Sequence, residues 1–234
     1  MNHLRMFFLA LALTWCGLSA PAGAITPDEA AALPDRFLGK ADAPVSIIEY
    51  ASLTCSHCAH FHEETFPKLK EKYIDTGKVK LILRDYPNSP PALRAAAIAR
   101  CLPESSYFAY MSTLFKSQND WAQSDDPVKS LLQYAKLGGL SSEDAEACAN
   151  SNKLMDAITA NMLKADQYYM VAATPTFVFN EGKDKIAGAV PFEQFAAKIE
   201  ALLAAAAKAE PPKGTEAVTT PAKPEQKPTN SVKP

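Results

Sequence analysis

A Cys-x-x-Cys pair placed directly after a run of β-branched and aromatic residues constrains this chain more than any other feature. Residues 54–62 read TCSHCAHFH, which sets Cys55 and Cys58 beside three of the chain's four histidines. Upstream, VSIIEYA (Val45 to Ala51) follows Pro44 and has the pattern of a buried strand. Downstream, Ser56 to Thr76 has helical spacing, with Phe61, Phe66, Leu69 and Tyr73 for an apolar face and Gly77 to end it. Pro67 removes an amide donor and clashes with the preceding turn, so a kink or break is expected there. KVKLILRDY (Lys78 to Tyr86) is a second buried-strand run. Strand, helix and strand in about 40 residues make a βαβ unit, with parallel strands and a right-handed crossover.

The pair admits two chemistries. Cysteine and histidine are common ligands of zinc and copper, and a Cys-x-x-Cys pair is also the working part of thiol-disulfide oxidoreductases. On a regular helix His62 falls one turn after Cys58, while His60 points roughly 200 degrees away. All four donors therefore do not converge easily from one helix. A zinc or copper site at Cys55, Cys58 and one histidine stands as the alternative reading.

The ends of the chain bound the problem. MNHLRMFFLALALTWCGLSAPAGA carries one Arg, an apolar run from Met6 to about Leu18, and Ala22-Gly23-Ala24, which fits small-x-small cleavage. Residues 1–24 are expected to be a signal peptide, with the protein periplasmic or otherwise exported. An uncleaved anchor is disfavoured because the apolar run is short of the roughly 20 residues a spanning helix needs. Lipid attachment at Cys16 is disfavoured by the bulky Trp15 before it. Cleavage after Ala24 removes Arg5, so 23 basic residues face 26 acidic ones and the net charge is -3. Nothing in that balance points to nucleic acid or acidic lipid. It also leaves Cys55, Cys58, Cys101 and Cys148, and an even count in an exported chain suggests two disulfides. From about Glu210 the chain is rich in Pro, Lys, Thr and Glu, and residues 209–234 are expected to be a disordered tail.

Between the two strand-rich parts, SPPALRAAAIARCL, ESSYFAYMSTLFKSQ, DPVKSLLQYAKLGG, SSEDAEACAN and NKLMDAITANMLKADQYYM each read as helical. Pro103, Asp126-Pro127 and Gly138-Gly139 separate them. They form an inserted helical subdomain over 89–170. TPTFVFNEGKDKIAGAV (Thr174 to Val190) then gives two strands around Asn180 to Asp184, the look of a hairpin, and PFEQFAAKIEALLAAAAKA closes as a helix.

In this order, APVSIIEYASLTCSHC, the helical insert and ATPTFVF resemble the DsbA branch of the thioredoxin superfamily, over nearly all of Asp35 to Lys208. The resemblance implies an α/β protein with a thioredoxin-like fold, its first part at 25–88 and its second at 171–208, around the helical insertion. It implies Cys55 and Cys58 as the redox pair, with no cofactor beyond their disulfide and no metal. It implies Pro175 as a cis-proline that, with Thr174, meets extended substrate backbone, and Glu49 as a buried acid behind the pair. His57 matches the histidine of the family's frequent CPHC. Ser56 departs from the family's proline, and Thr174 from the valine of the best-known oxidases. Those departures leave oxidase, isomerase and reductase open. A copper- or zinc-binding protein and a redox-inert chaperone are the readings from other classes. The implied partners are newly exported protein substrates and a DsbB-like membrane re-oxidant, with the protein itself a monomer.

The chemistry of each residue follows. An ordinary thiol is only about 3 percent thiolate at pH 7, so Cys55 needs its pKa lowered, and a helix N-terminus does this. Cys55 is then the exposed nucleophile, and Cys58, one turn in, resolves the mixed disulfide. His57 can add a positive charge or a donor beside Cys55. Of the three histidines, only His57 is expected to sit where the redox chemistry would use it. Glu49, if buried, suits a proton acceptor for Cys58. Cys101 and Cys148 are expected to form a structural disulfide closing a loop of some 46 residues, worth about 4 kcal/mol. Two free buried thiols or a second redox pair are the alternatives.

Overall fold

The computed structural model describes residues 24–209 apart from 183, so the expected signal peptide up to residue 23 and the expected tail from residue 210 lie outside the described residues, while residue 209 is helical. Its centre is a five-stranded sheet in the order β1-β3-β2-β4-β5. Strand β2 (Val45–Ala51) and strand β3 (Val79–Asp85) pair in parallel, with Ile47 opposite Leu81 and Glu49 opposite Leu83. Strand β4 (Thr176–Phe179) runs antiparallel to β2, and β5 (Asp184–Ala187) antiparallel to β4. The hairpin between them turns at Asn180 and Glu181, both at positive φ, and the Asn180 side chain accepts a hydrogen bond from the Ser46 amide at 2.8 Å. A short helix α1 (Pro27–Ala30) precedes the short β1 (Arg36–Leu38), which lies antiparallel on the outer edge of β3. This strand has no counterpart in the sequence reading, because three residues are too few to show a period.

Between β2 and β3 the chain is helical from Ser56 to Ile74, as α2 (Ser56–His60), a π-helical turn (Phe61–Thr65), α3 (Phe66–Leu69) and a second π turn (Lys70–Ile74). Of the kink or break expected at Pro67, the break does not occur: the helical hydrogen bonding is disturbed there but the helix continues. The helix widens instead: the Phe66 amide donates to the Phe61 carbonyl five residues back, and Pro67, which has no amide to donate, sits in the first turn of α3. Phe61, Leu69 and Tyr73 still point inward. They pack with Val45, Ile47, Phe177 and Phe195 between this helix, the sheet and α10 (Phe192–Ala209). Each such fully buried side chain contributes roughly 1.5–3 kcal/mol.

The helical insertion comprises α4 (Pro90–Cys101), α5 (Glu104–Lys116), α6 (Gln118–Ala122), α7 (Pro127–Leu137), α8 (Ser142–Ala149) and α9 (Asn152–Tyr169). Ser89, Asp126, Ser141 and Ser151 cap four of these helices by accepting a hydrogen bond from a first-turn amide. The insertion has its own apolar core, with Tyr107, Leu114, Trp121, Leu131 and Leu154, and this core is continuous with Leu53, Cys55 and Cys58 of the strand-to-helix loop. Cys101 of α4 and Cys148 of α8 are bonded within it, at 2.08 Å. Among the described residues no helix is long and apolar enough to cross a membrane.

Two parts of this arrangement position the site. β2 delivers residue 55 to the C-terminal edge of the sheet, where the helix begins. The insertion then covers that loop: the Gln118 amide, itself buried, donates to the Leu53 carbonyl at 2.8 Å and to the Cys55 carbonyl at 3.1 Å.

Candidate active site

Cys55 is the N-cap of α2, and its extended backbone (φ -84, ψ 117) sets the side chain at the helix start, where the first amides lack partners. No capping side chain competes for them. Cys58 lies one turn in and is 0% exposed, against 9% for Cys55; both are free thiols here. Cys55 is thus more covered than the exposed nucleophile the sequence suggests, because the loop before β4 closes over it. Its sulfur lies 3.3 Å from the Thr174 carbonyl oxygen, to which the protonated thiol donates. The Thr174-Pro175 peptide bond is cis.

The two thiols are driven apart. Cys55 is lowered to about 5, first by a hydrogen bond from the Cys58 thiol. Burial opposes this, and the Thr174 side chain and the amides of Cys58 and His57 add to it. Burial pushes the Cys58 thiol strongly up, and its hydrogen bond to Cys55 and the charges of Cys55 and Glu49 push it further. At neutral pH one sulfur is a thiolate and the other a protonated thiol.

His57 stands exposed, and what it brings to the Cys55 sulfur is its backbone amide. His60 is exposed as well. His62 behaves differently from the expectation that only His57 would matter. Its side chain is 7% exposed, its ring stacks on Phe115 of α5 at 4.1 Å, and its Nε2 is hydrogen-bonded to Glu49 Oε1 at 2.9 Å. The i+4 relation of His62 to Cys58 puts both on one face of the helix, and that spacing was the signal available in the sequence. Glu49 is 0% exposed in the middle of β2, and its Oε2 has no hydrogen-bond partner. Its partner on the ladder is Phe177 of β4 on one side and Leu83 of β3 on the other.

Sequence reasoning also missed a buried charged pair. Arg100 of α4 donates to Asp85 at the end of β3 at 2.6 Å and to the Pro34 carbonyl at 2.8 Å. Tyr107 of α5 lies beneath both Arg100 and Arg36, whose guanidinium carbons are 5.6 and 5.5 Å from its ring centre. This pair fastens the insertion to the sheet. Among the described residues no group of three or more His, Cys, Asp or Glu side chains is placed to hold a metal ion.

The family model described as "Thioredoxin" matches residues 32–201. The crystal structure of Wolbachia pipientis alpha-DsbA1 is 35% identical with a TM-score of 0.69, over 75% of this chain and 94% of that one. Oxidised BdbD from Bacillus subtilis has a TM-score of 0.66 at 23% identity, over 79% of this chain and 100% of that one, a likeness of fold. A Rickettsia typhi protein named as a protein-disulfide oxidoreductase is 35% identical over 147 residues, 62% of this chain and 54% of its own. The chain spans about half the length of the curated relatives from Rickettsia that it matches. Sequence match and structural likeness agree on one assignment: the chain belongs to the thioredoxin family, in the DsbA-like form that carries helices between β3 and β4.

Proposed function

We propose that this protein is an exported thiol-disulfide oxidoreductase that introduces disulfides into newly exported proteins. The observation that carries the reading is the placement of the pair, with Cys55 at the N-terminus of α2 against Thr174 and Cys58 buried one turn in, which lowers the first thiol and raises the second. A thiolate stabilised this way favours the reduced form, so the disulfide form is a good electron acceptor. In the oxidised protein a substrate thiolate attacks the Cys55 sulfur. The Cys55–Cys58 bond breaks, its electron pair leaves with Cys58, and Cys58 takes a proton relayed from solvent through the buried Glu49. A second substrate thiolate then attacks the substrate sulfur of the mixed disulfide. Cys55 departs as a stable thiolate, the substrate is oxidised by two electrons, and the protein is reduced by two.

Thr174 and Pro175, over the Cys55 sulfur, are the place for extended substrate backbone. Re-oxidation needs an electron acceptor, and a DsbB-like membrane partner fits that need. The protein works as a monomer in this reading. The metal-binding alternative is weakened by geometry, since His62 is committed to Glu49 and His57 and His60 face solvent.

Equilibrating the Cys55–Cys58 pair against a glutathione buffer tests the direction of the reaction. A potential toward the oxidising end of the family's range, near -120 mV, supports an oxidase; one near -270 mV, where thioredoxin lies, would make the protein a reductase. Thr174 gives that second outcome a physical route, because a residue touching the Cys55 sulfur also sets how readily it leaves.

A further inference from the structure

The buried side of the redox pair has a built environment that the exchange chemistry at Cys55 does not explain. Glu49 is fully enclosed, its charge is felt by Cys58, and one of its oxygens is held while the other has no partner. A buried carboxylate is costly unless hydrogen-bonded. The group that holds it is His62, through Nε2 to Oε1 at 2.9 Å. The His62 ring is itself fixed, stacked on Phe115 at an interplanar angle of 12° and set edge-on to Phe61 at 88°.

His62 is also a wall. It lines a pocket of about 270 Å³ together with Leu38, Phe66, Lys70, Phe108 and Met111. Lys70 has a side chain 43% exposed, so the pocket reaches solvent there. Glu49 does not line it. The imidazole therefore stands between a solvent-connected, largely apolar pocket and the enclosed carboxylate that faces the redox helix.

We propose that His62 is the positioning residue for the Cys58 half of the exchange. It holds Glu49 by Oε1 so that Oε2 is left to exchange a proton with Cys58, and it keeps pocket water from that carboxylate. This rests on the thiol-disulfide reading given above. In the resolving direction the Cys58 S–H bond breaks and its proton goes to Glu49. The thiolate then attacks Cys55, the Cys55–Cys58 bond forms, and the bond from Cys55 to the partner sulfur breaks with its electron pair on the departing thiolate. His62 touches none of the reacting sulfurs in this step. It acts through Glu49.

Two substitutions separate the hydrogen bond from the packing. His62→Phe keeps an aromatic ring for Phe115 and removes the donor, whereas His62→Gln keeps a donor for Glu49 and removes the ring. The mixed disulfide of Cys55 with glutathione is prepared at low pH, the sample is brought to neutral pH, and glutathione release by Cys58 is timed. His62→Phe is expected to slow release by about 10-fold or more, the scale of a lost hydrogen bond to a charged group. His62→Gln is expected to stay within about 3-fold of the parent, since its hydrogen bond persists. Iodoacetamide alkylation of Cys55 should be unchanged in both. In a Glu49→Gln background the Phe substitution should cause no further slowing, because both act through one contact.

Wild-type release in His62→Phe, equal slowing in Phe and Gln, or full additivity with Glu49→Gln would each overturn the proposal. If His62→Phe does not fold, His62→Leu removes the donor in a smaller side chain and carries the same expectations. A parent protein that releases no glutathione would instead refute the thiol-disulfide reading itself.

Discussion

The chain holds two cysteine pairs with opposite fates. Cys55 and Cys58 are three positions apart at a helix start, are free thiols here, and have been pushed to opposite ends of the thiol range. Cys101 and Cys148 are 47 positions apart on two helices of the insertion, both fully buried in an apolar core, and are bonded. Chemistry of the residue is the same in all four. The difference lies in what surrounds them: amides, the Thr174 side chain and a buried carboxylate at the first pair, packed side chains at the second. The first environment makes a bond easy to exchange, and the second keeps exchange partners away.

The comparison breaks most visibly at Cys55. Cys55→Ala should abolish oxidation of a dithiol peptide, while Cys101→Ala with Cys148→Ala should leave the rate within about 2-fold, since neither sulfur is reachable by substrate. Equal loss in both proteins would mean that the second pair takes part in exchange. The second pair should instead be read out in stability. Removing it releases a loop of some 46 residues and is expected to cost about 4 kcal/mol in chemical denaturation, against little for Cys55→Ala.

A comparable effect is expected at Asp85. Replacing it by Asn leaves Arg100, 2% exposed, without its charged partner, and breaking a buried pair from one side costs roughly 3–5 kcal/mol. Because the pair ties α4 to β3, denaturation should show the loss while alkylation of Cys55 stays the same. A loss below about 1 kcal/mol would mean that the Pro34 and Leu83 carbonyls already satisfy Arg100.

Much of this was legible in the sequence, for identifiable reasons. VSIIEYA and VKLILRD are buried on both faces, so they read as continuous apolar runs, and the capped helices of the insertion announce themselves by Ser and Asp at their starts. The Cys-x-x-Cys pair was legible from its place between a strand run and a helix, and the structure puts Cys55 at the start of α2, Glu49 fully buried in β2 and a cis bond at Thr174-Pro175. What stayed hidden depends on contacts between distant segments. Arg36, Asp85 and Arg100 carry residue types that are almost always exposed, and nothing local says that they meet. His62 reads as one of three similar histidines until β2 and α5 are brought against it. Pro67 gave a true signal of a disturbed helix, and the disturbance takes the form of a π turn, which satisfies the backbone without a break.

The smallest effect discriminates the two pairs most finely, since it needs no substitution. In the unfolded reduced chain Cys55 has an ordinary thiol pKa of about 8.5, and in the folded chain it is lowered to about 5. Between those values the folded state binds fewer protons than the unfolded one, so reduced-protein stability rises with pH across that window and is lost as pH falls toward 5. Cys58 adds nothing there, being protonated in both states, and above about 8.5 its raised folded value works in the opposite direction. The oxidised protein has no Cys55 thiol to titrate. Cys101 and Cys148, bonded in both forms, cancel from the difference. The gap in melting temperature between reduced and oxidised protein should therefore widen from pH 5 to pH 8 in favour of the reduced form, with groups other than Cys55 and Cys58 common to both curves. Burial of Cys55 opposes the lowering, so the gap stays short of what its hydrogen bonds alone would give. A gap that does not move with pH, measured by calorimetry on the two forms, would mean that Cys55 is not held as a thiolate and that the contrast between the two pairs lies in access alone.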